Sequence, residues 1–149
     1  MAGTPKPRTS PAAGYSGTPL AKKLGIKPAH VVALVGAPGG WEVPELPADV
    51  VVRRGMRSRA DVVVAFVRRA VELDAVLATV VPKLGSADSL WVAWPRRAGG
   101  HDSDVTENLL RELLLPTGLV DVKVAALDQN WSGLRFVRRR ELRAPASAR

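Results

Sequence analysis

Four short apolar runs constrain this chain more than any other feature: His30–Val35 (HVVALV), Asp49–Arg54 (DVVVRR), Asp61–Val67 (DVVVAFV) and Ser89–Trp94 (SLWVAW). Each is too brief for a helix and rich in β-branched or aromatic residues, and none shows the polar alternation of a half-solvated strand. Such runs read as strands buried on both faces, the pattern of a parallel sheet covered by helices. Parallel neighbours need crossovers, and two amphipathic segments supply them. Arg68–Leu84 places apolar side chains at 71, 73, 76, 77, 80 and 81, with Glu72 and Asp74 toward water. Asp104–Leu114 opens with Asp104 and Glu107 in capping-box spacing and buries Val105, Leu109, Leu110, Leu113 and Leu114 before Pro116 and Gly118 stop it. Leu119–Leu127 and Leu134–Arg138 are joined only by DQNWSG, too short for a crossover, so they form an antiparallel hairpin. TPLAKKLG, with Thr18-Pro19 as a start signal and Gly25 as a stop, is a short helix leading in. The expected class is α/β, a small doubly wound, mostly parallel, Rossmann-like sheet ending in an antiparallel hairpin.

Three of these strands end in paired arginines: Arg53-Arg54, Arg68-Arg69 and Arg96-Arg97. In a parallel sheet those six guanidinium groups gather on one rim. The crevice outside the carboxyl ends of the strands is where open α/β sheets bind ligands, and guanidinium forks match phosphate and carboxylate. Arg68 and Arg69 also open a helix, whose positive dipole end disfavours cations by roughly 0.3–1 kcal/mol each. A bound anion, or Asp61 or Glu72 nearby, would offset that.

At 149 residues and 46% apolar content the chain suits one domain. The Pro-, Ser- and Gly-rich residues 1–13 read as a disordered tail, 14–140 as the domain and 141–149 as a flexible basic tail. The net charge of +8 is unevenly spread. Residues 1–30 hold five cations and no acid, and 135–149 hold six arginines against Glu141, whereas 31–134 hold 11 bases and 13 acids. A basic tail is first a solubility device. A nucleic-acid binder working through these ends is possible but not favoured, and it predicts a steep salt dependence lost on removing both tails. Residues 1–13 lack the apolar stretch of a secretory signal and no segment approaches a membrane helix, so a soluble cytoplasmic protein is expected and no membrane partner.

The run LGIKPAHVVALVGAPGG resembles the opening of class I S-adenosylmethionine-dependent methyltransferases, where a strand runs into a glycine-rich GxGxG turn. The resemblance covers about residues 24–140. It implies a spatial strand order of Asp49, His30, Asp61, Ser89, Leu134 and Leu119 strands, with adenosylmethionine as the family's cofactor. Gly36 and Gly40 take the outer glycine positions, Pro38 stands at the middle one and Leu34 where an acid precedes the turn. Arg53 or Arg54 stands where the family's acid holds ribose hydroxyls. Residues 37–48, with Gly39, Gly40, Pro44 and Pro47, leave room for about one helical turn in place of a first crossover helix. GYSGTPLAKKLGIKP, ADVVVAFV, LWVAWPRR and WSGLRFVRR, spread over nearly the whole chain, resemble a bacterial family of short proteins catalogued as domain of unknown function 3052, a likeness that implies a family and no activity.

Catalytic chemistry has few carriers. No cysteine is present, which excludes disulfides, thiolate zinc sites and cysteine nucleophiles. Two histidines exclude a histidine-rich metal site. His30 starts its strand at the end away from the rim; His101, beside Asp102 and Asp104, is the one candidate base. Ser16, Ser132 and Thr106 have no assigned base, and Thr106 reads as helix surface. Trp91 and Trp94 fall on opposite faces of one strand and read as core, while Trp41 and Trp131 lie in loops at the rim, placed to cap the core or stack on a ligand. The candidate ligand-binding residues are Gly36, Gly40, Arg53, Arg68, Arg69, Arg96, Arg97, His101 and Trp131. No catalytic residue, metal or cofactor is expected. The expected function is a non-catalytic module that recognises an anionic small molecule or an acidic protein surface; a divergent adenosylmethionine-dependent methyltransferase or nucleotide-using transferase is the alternative.

Overall fold

The structure, a computed structural model, describes residues 18–140. The two expected tails and Ser16 lie outside them. Six strands, β1 (Val31–Val35), β2 (Val51–Arg54), β3 (Val62–Phe66), β4 (Ser89–Pro95), β5 (Leu119–Ala126) and β6 (Trp131–Arg138), form one sheet in the order β2-β1-β3-β4-β6-β5. The first four are mutually parallel and β6 runs antiparallel to both β4 and β5. This is the strand order implied by the resemblance. Methyltransferase-like α/β architecture with a closing hairpin is what the chain adopts.

All five residues of β3 and the first six of β4 are buried, so both faces of the sheet's centre carry a core. On one face Val63, Ala65, Leu90 and Val92 pack under Leu73, Leu77, Leu110 and Leu114. The last four come from α2 (Leu73–Val80) and α3 (Glu107–Leu114). Leu110 and Leu114 are fully covered, each contributing roughly 1.5–3 kcal/mol relative to exposure. On the other face Val64, Phe66 and Trp91 meet Leu20 and Leu24 of α1 (Leu20–Leu24), with Trp41 and Val43 from the β1–β2 connection. Trp91 and Trp94 divide between the faces as expected. Arg111 ties α3 to the hairpin, its Nε donating to Asp121 at 2.9 Å and its Nη2 to Glu107 at 3.0 Å.

Several expectations are corrected. β2 is exposed along its whole length, with Val51 at 51% and Val52 at 41%, because the segments flanking it carry no helix to cover it. The Arg68–Leu84 segment is a composite, 3-10 at Ala70–Glu72 and Val81–Lys83 around α2. α3 begins at Glu107, and its cap is Thr106, whose Oγ accepts from Leu109 N. Thr106 is thus a capping residue, and Asp104 instead accepts from Ala70 N at 2.8 Å. Trp131 opens β6 rather than standing in a loop. Within the expected domain, Arg138 Nη2 donates to Val81 O and Leu84 O, and Arg139 Nη2 to Leu115 O.

Candidate anion site at the carboxyl edge of the sheet

Parallel pairing of β2, β1, β3 and β4 puts Arg54, Val35, Phe66 and Pro95 at one edge, and the three arginine pairs sit at or just beyond it. From β2 to β4 is three inter-strand steps, roughly 14 Å. The pairs share the edge but not a pocket. Arg53 and Arg54 line a cleft with Gly55, Arg57 and Ser58. Arg96 and Arg97 line another, of about 350 Å³, with Ser103, Glu107 and Ser132. Arg68 stands between them. Arg53 Nη1 donates to Ser58 Oγ at 2.8 Å and Arg54 Nη2 to Trp41 O at 2.6 Å. Arg69 and Arg97 are exposed.

The centre of the edge is built around Phe66. Trp41 and Trp131 meet its ring edge-on, with centroids 4.8 and 5.0 Å away. Both indoles are buried, so they cap the core rather than offer free faces. The Arg68 guanidinium lies 5.3 Å from the Trp131 ring centroid and donates to Gly36 O at 3.3 Å. Gly36 has φ of +70°, and a Cβ there would come within 3.1 Å of Phe66 O, so the turn needs glycine. Gly40, at φ +80°, faces open space. Asp128 is spent on structure: its carboxylate accepts from Trp41 Nε1, Asn130 N and Trp131 N, and its carbonyl accepts from Arg96 Nη1 at 3.1 Å.

The helix start after β3 finds its offset within the chain. Glu72 accepts from Arg68 N at 2.9 Å, Asp104 from Ala70 N, and Ser103 Oγ donates to Arg68 O. Asp61 plays no part; it binds Val31 N and Arg59 at the amino end of the strands. These partners satisfy the main chain and leave the side chain of Arg68 without a carboxylate among the described residues. His101 Nε2 lies 2.9 Å from Asn130 Oδ1, rather than meeting Asp102 or Asp104, and His30 Nδ1 accepts from Lys27 N. Glu107 in the Arg96–Arg97 cleft is held by Arg111. Among the described residues no group of three or more metal-ligating side chains gathers, and no helix is long and apolar enough to cross a membrane. At the edge the Arg68 guanidinium lies over the Trp131 ring, and the carboxylates of Glu72, Asp104, Glu107 and Asp128 are each held by hydrogen bonds or an ion pair of their own. Guanidinium groups of this kind are chemically suited to phosphate and carboxylate. Arg57 and Ser58 were legible only as part of the dense RRGMRSR run, and Ser103 carried no signal at all.

No protein-family model matches the chain, and no curated protein does. Solved structures do. A ribosomal protein L11 methylase from Lactobacillus delbrueckii subsp. bulgaricus superposes with a TM-score of 0.52 at 12% identity, over 80% of this chain and 75% of that one. A SAM-dependent methyltransferase from Aquifex aeolicus gives 0.52 at 12%, over 78% and 86%. The Methanococcus jannaschii fibrillarin pre-rRNA processing protein gives 0.52 at 12%, over 81% and 69%. The likeness is one of fold.

Adenosylmethionine, the cofactor that the sequence resemblance implies, is poorly matched by the residues at the edge. Residues 36–50 contain no helix to present amides to a ligand, Pro38 lacks an amide altogether, and Arg54 at the end of β2 offers only donors where ribose hydroxyls would want a carboxylate.

Proposed function

We propose that the chain is a methyltransferase-like domain that recognises an anionic small molecule at the carboxyl edge of its sheet, between the Arg68 guanidinium and the Arg96–Arg97 cleft. One observation carries the reading: Arg68, with no carboxylate partner among the described residues, projects over Trp131 at the crevice between β1 and β3, where strand order reverses. An acidic protein surface is the larger version of the same partner. Four motifs similar to the bacterial family of domain of unknown function 3052 belong to this reading as a statement of kinship.

The fold likeness favours a second reading over a module without catalysis: a divergent adenosylmethionine-dependent or nucleotide-using transferase. The side chains at the edge favour the first. Calorimetry separates them. Titration with a mononucleotide is expected to show saturable binding that Arg68→Ala weakens about tenfold, the loss of one charge-assisted contact. Adenosylmethionine is expected to show none. Micromolar, saturable adenosylmethionine binding would establish the transferase reading in its place, and a nucleotide isotherm unchanged in Arg68→Ala would remove the anion site.

A further inference from the structure

The closing hairpin contains a β-bulge with a chemical result. Along β5 and β6 the register runs Leu119↔Arg138, Val120↔Val137 and Asp121↔Phe136, then slips, so that Lys123 rather than Val122 faces Arg135. Without the extra residue the neutral Val122 would be the cross-strand partner. The bulge therefore sets two cations side by side, with Cβ atoms about 5 Å apart, an arrangement that is itself destabilising. Asp121, the nearest acid in sequence, is taken by Arg111. A third cation, Lys23 of α1, reaches the same hairpin, its Nζ 2.8 Å from Ala126 O.

Arg135 is only partly satisfied by the chain around it. Its Nε is the one buried side-chain nitrogen or oxygen, among the described residues, that has no hydrogen-bond partner. Its guanidinium lies against the turn that ends α1, where a Cβ on Gly25 would be 3.7 Å from Nη2. Neither Lys123 nor Arg135 has a carboxylate partner among the described residues. A pair of like charges set together by a bulge, with no carboxylate partner among the described residues, has the chemistry that recognises an anion.

We propose that Lys123 and Arg135 form a second site, separate from the carboxyl edge, that holds a dianionic phosphoryl group. Two adjacent cations need two negative charges, which one phosphoryl group carries and one carboxylate does not. The arginine fork binds two of its oxygens and the lysine supplies a point charge. The site is independent of the proposal for the edge, because Arg135 pairs with Trp91, near the start of β4, rather than with its carboxyl end.

The test follows backbone amides by nuclear magnetic resonance while pyrophosphate replaces chloride at constant ionic strength. The amides of Lys123, Val124 and Arg135 are expected to shift saturably. In Lys123→Val the affinity falls about tenfold or more, and in chloride alone that variant melts at or above the wild type, because the repulsion has gone. Absence of saturable shifts at these amides overturns the proposal, as does a response unchanged in Lys123→Val. So does a lower melting temperature of that variant in chloride, which would make Lys123 a structural residue. A pyrophosphate response confined to Gly36 and Trp131 would overturn this site and leave the edge site standing.

Discussion

Lys23 is 7% exposed, and its burial, with Lys123 and Arg96 as further causes, lowers its pKa below the ordinary 10.5. The sign of the consequence is fixed by linkage. Between the folded-state value and 10.5 the unfolded chain holds the proton more often than the folded one, so stability rises with pH across that window. Wild type is expected to gain stability relative to Lys23→Met as pH rises toward 10.5 in urea titrations. A constant difference between the two proteins would show that Lys23 titrates alike in both states. The arginine pairs were legible in sequence because strand ends were legible, and parallel strands carry their ends to one edge. What each guanidinium touches was not legible. Arg54 finds Trp41 O across 13 residues and Arg68 finds Gly36 O across 32, contacts set by loops with no periodic signature. The Lys123–Arg135 pair was equally hidden, because VDVKVAA reads as plain alternation and nothing in it marks the bulge.

Strand identity followed from the apolar runs and strand order from the methyltransferase resemblance, while strand burial did not follow everywhere. VVRR at β2 looks as buried as VVVAF at β3, yet burial needs something on each face, and only the crossovers around β3 and β4 supply helices. Helix ends were misjudged for a related reason. Asp104 and Glu107 have the spacing of a capping box, but Asp104 finds a better donor, Ala70 N, in the neighbouring crossover, and the cap passes to Thr106. A local rule lost to a tertiary contact. Thr106→Ala is expected to cost about 1 kcal/mol, the usual worth of such a cap, measured as a shift of denaturation midpoint without a change of slope. A midpoint within error of wild type would return Thr106 to the helix surface, where the sequence alone had put it.

Among the described residues, burial and strand pairing fall away from the centre of the sheet toward β2. β3 and β4 each have a bonded neighbour on both sides and a core on both faces, whereas β2 has one neighbour and no core. Local opening should therefore cost the global free energy at the centre and far less at that edge. Hydrogen exchange is expected to place Val63, Val64 and Val92 among the slowest amides, protected about four orders of magnitude or more, the range for a small domain's full stability. Val52 and Arg54 are expected near the rate of unstructured chain. The functional weight of this gradient falls on the arginines. Arg68 and Arg96 leave the strands expected to open least, so on the proposed function their guanidinium groups would meet a ligand already oriented, with little ordering entropy opposing binding. Arg53 and Arg54 leave the exposed edge strand, where a ligand would have to order the strand before gaining the contact. Protection of Val52 and Arg54 equal to that of Val64 would reverse this ranking: it would mean that another strand covers β2 in solution, and the Arg53–Arg54 cleft would then be as rigid as the centre of the sheet.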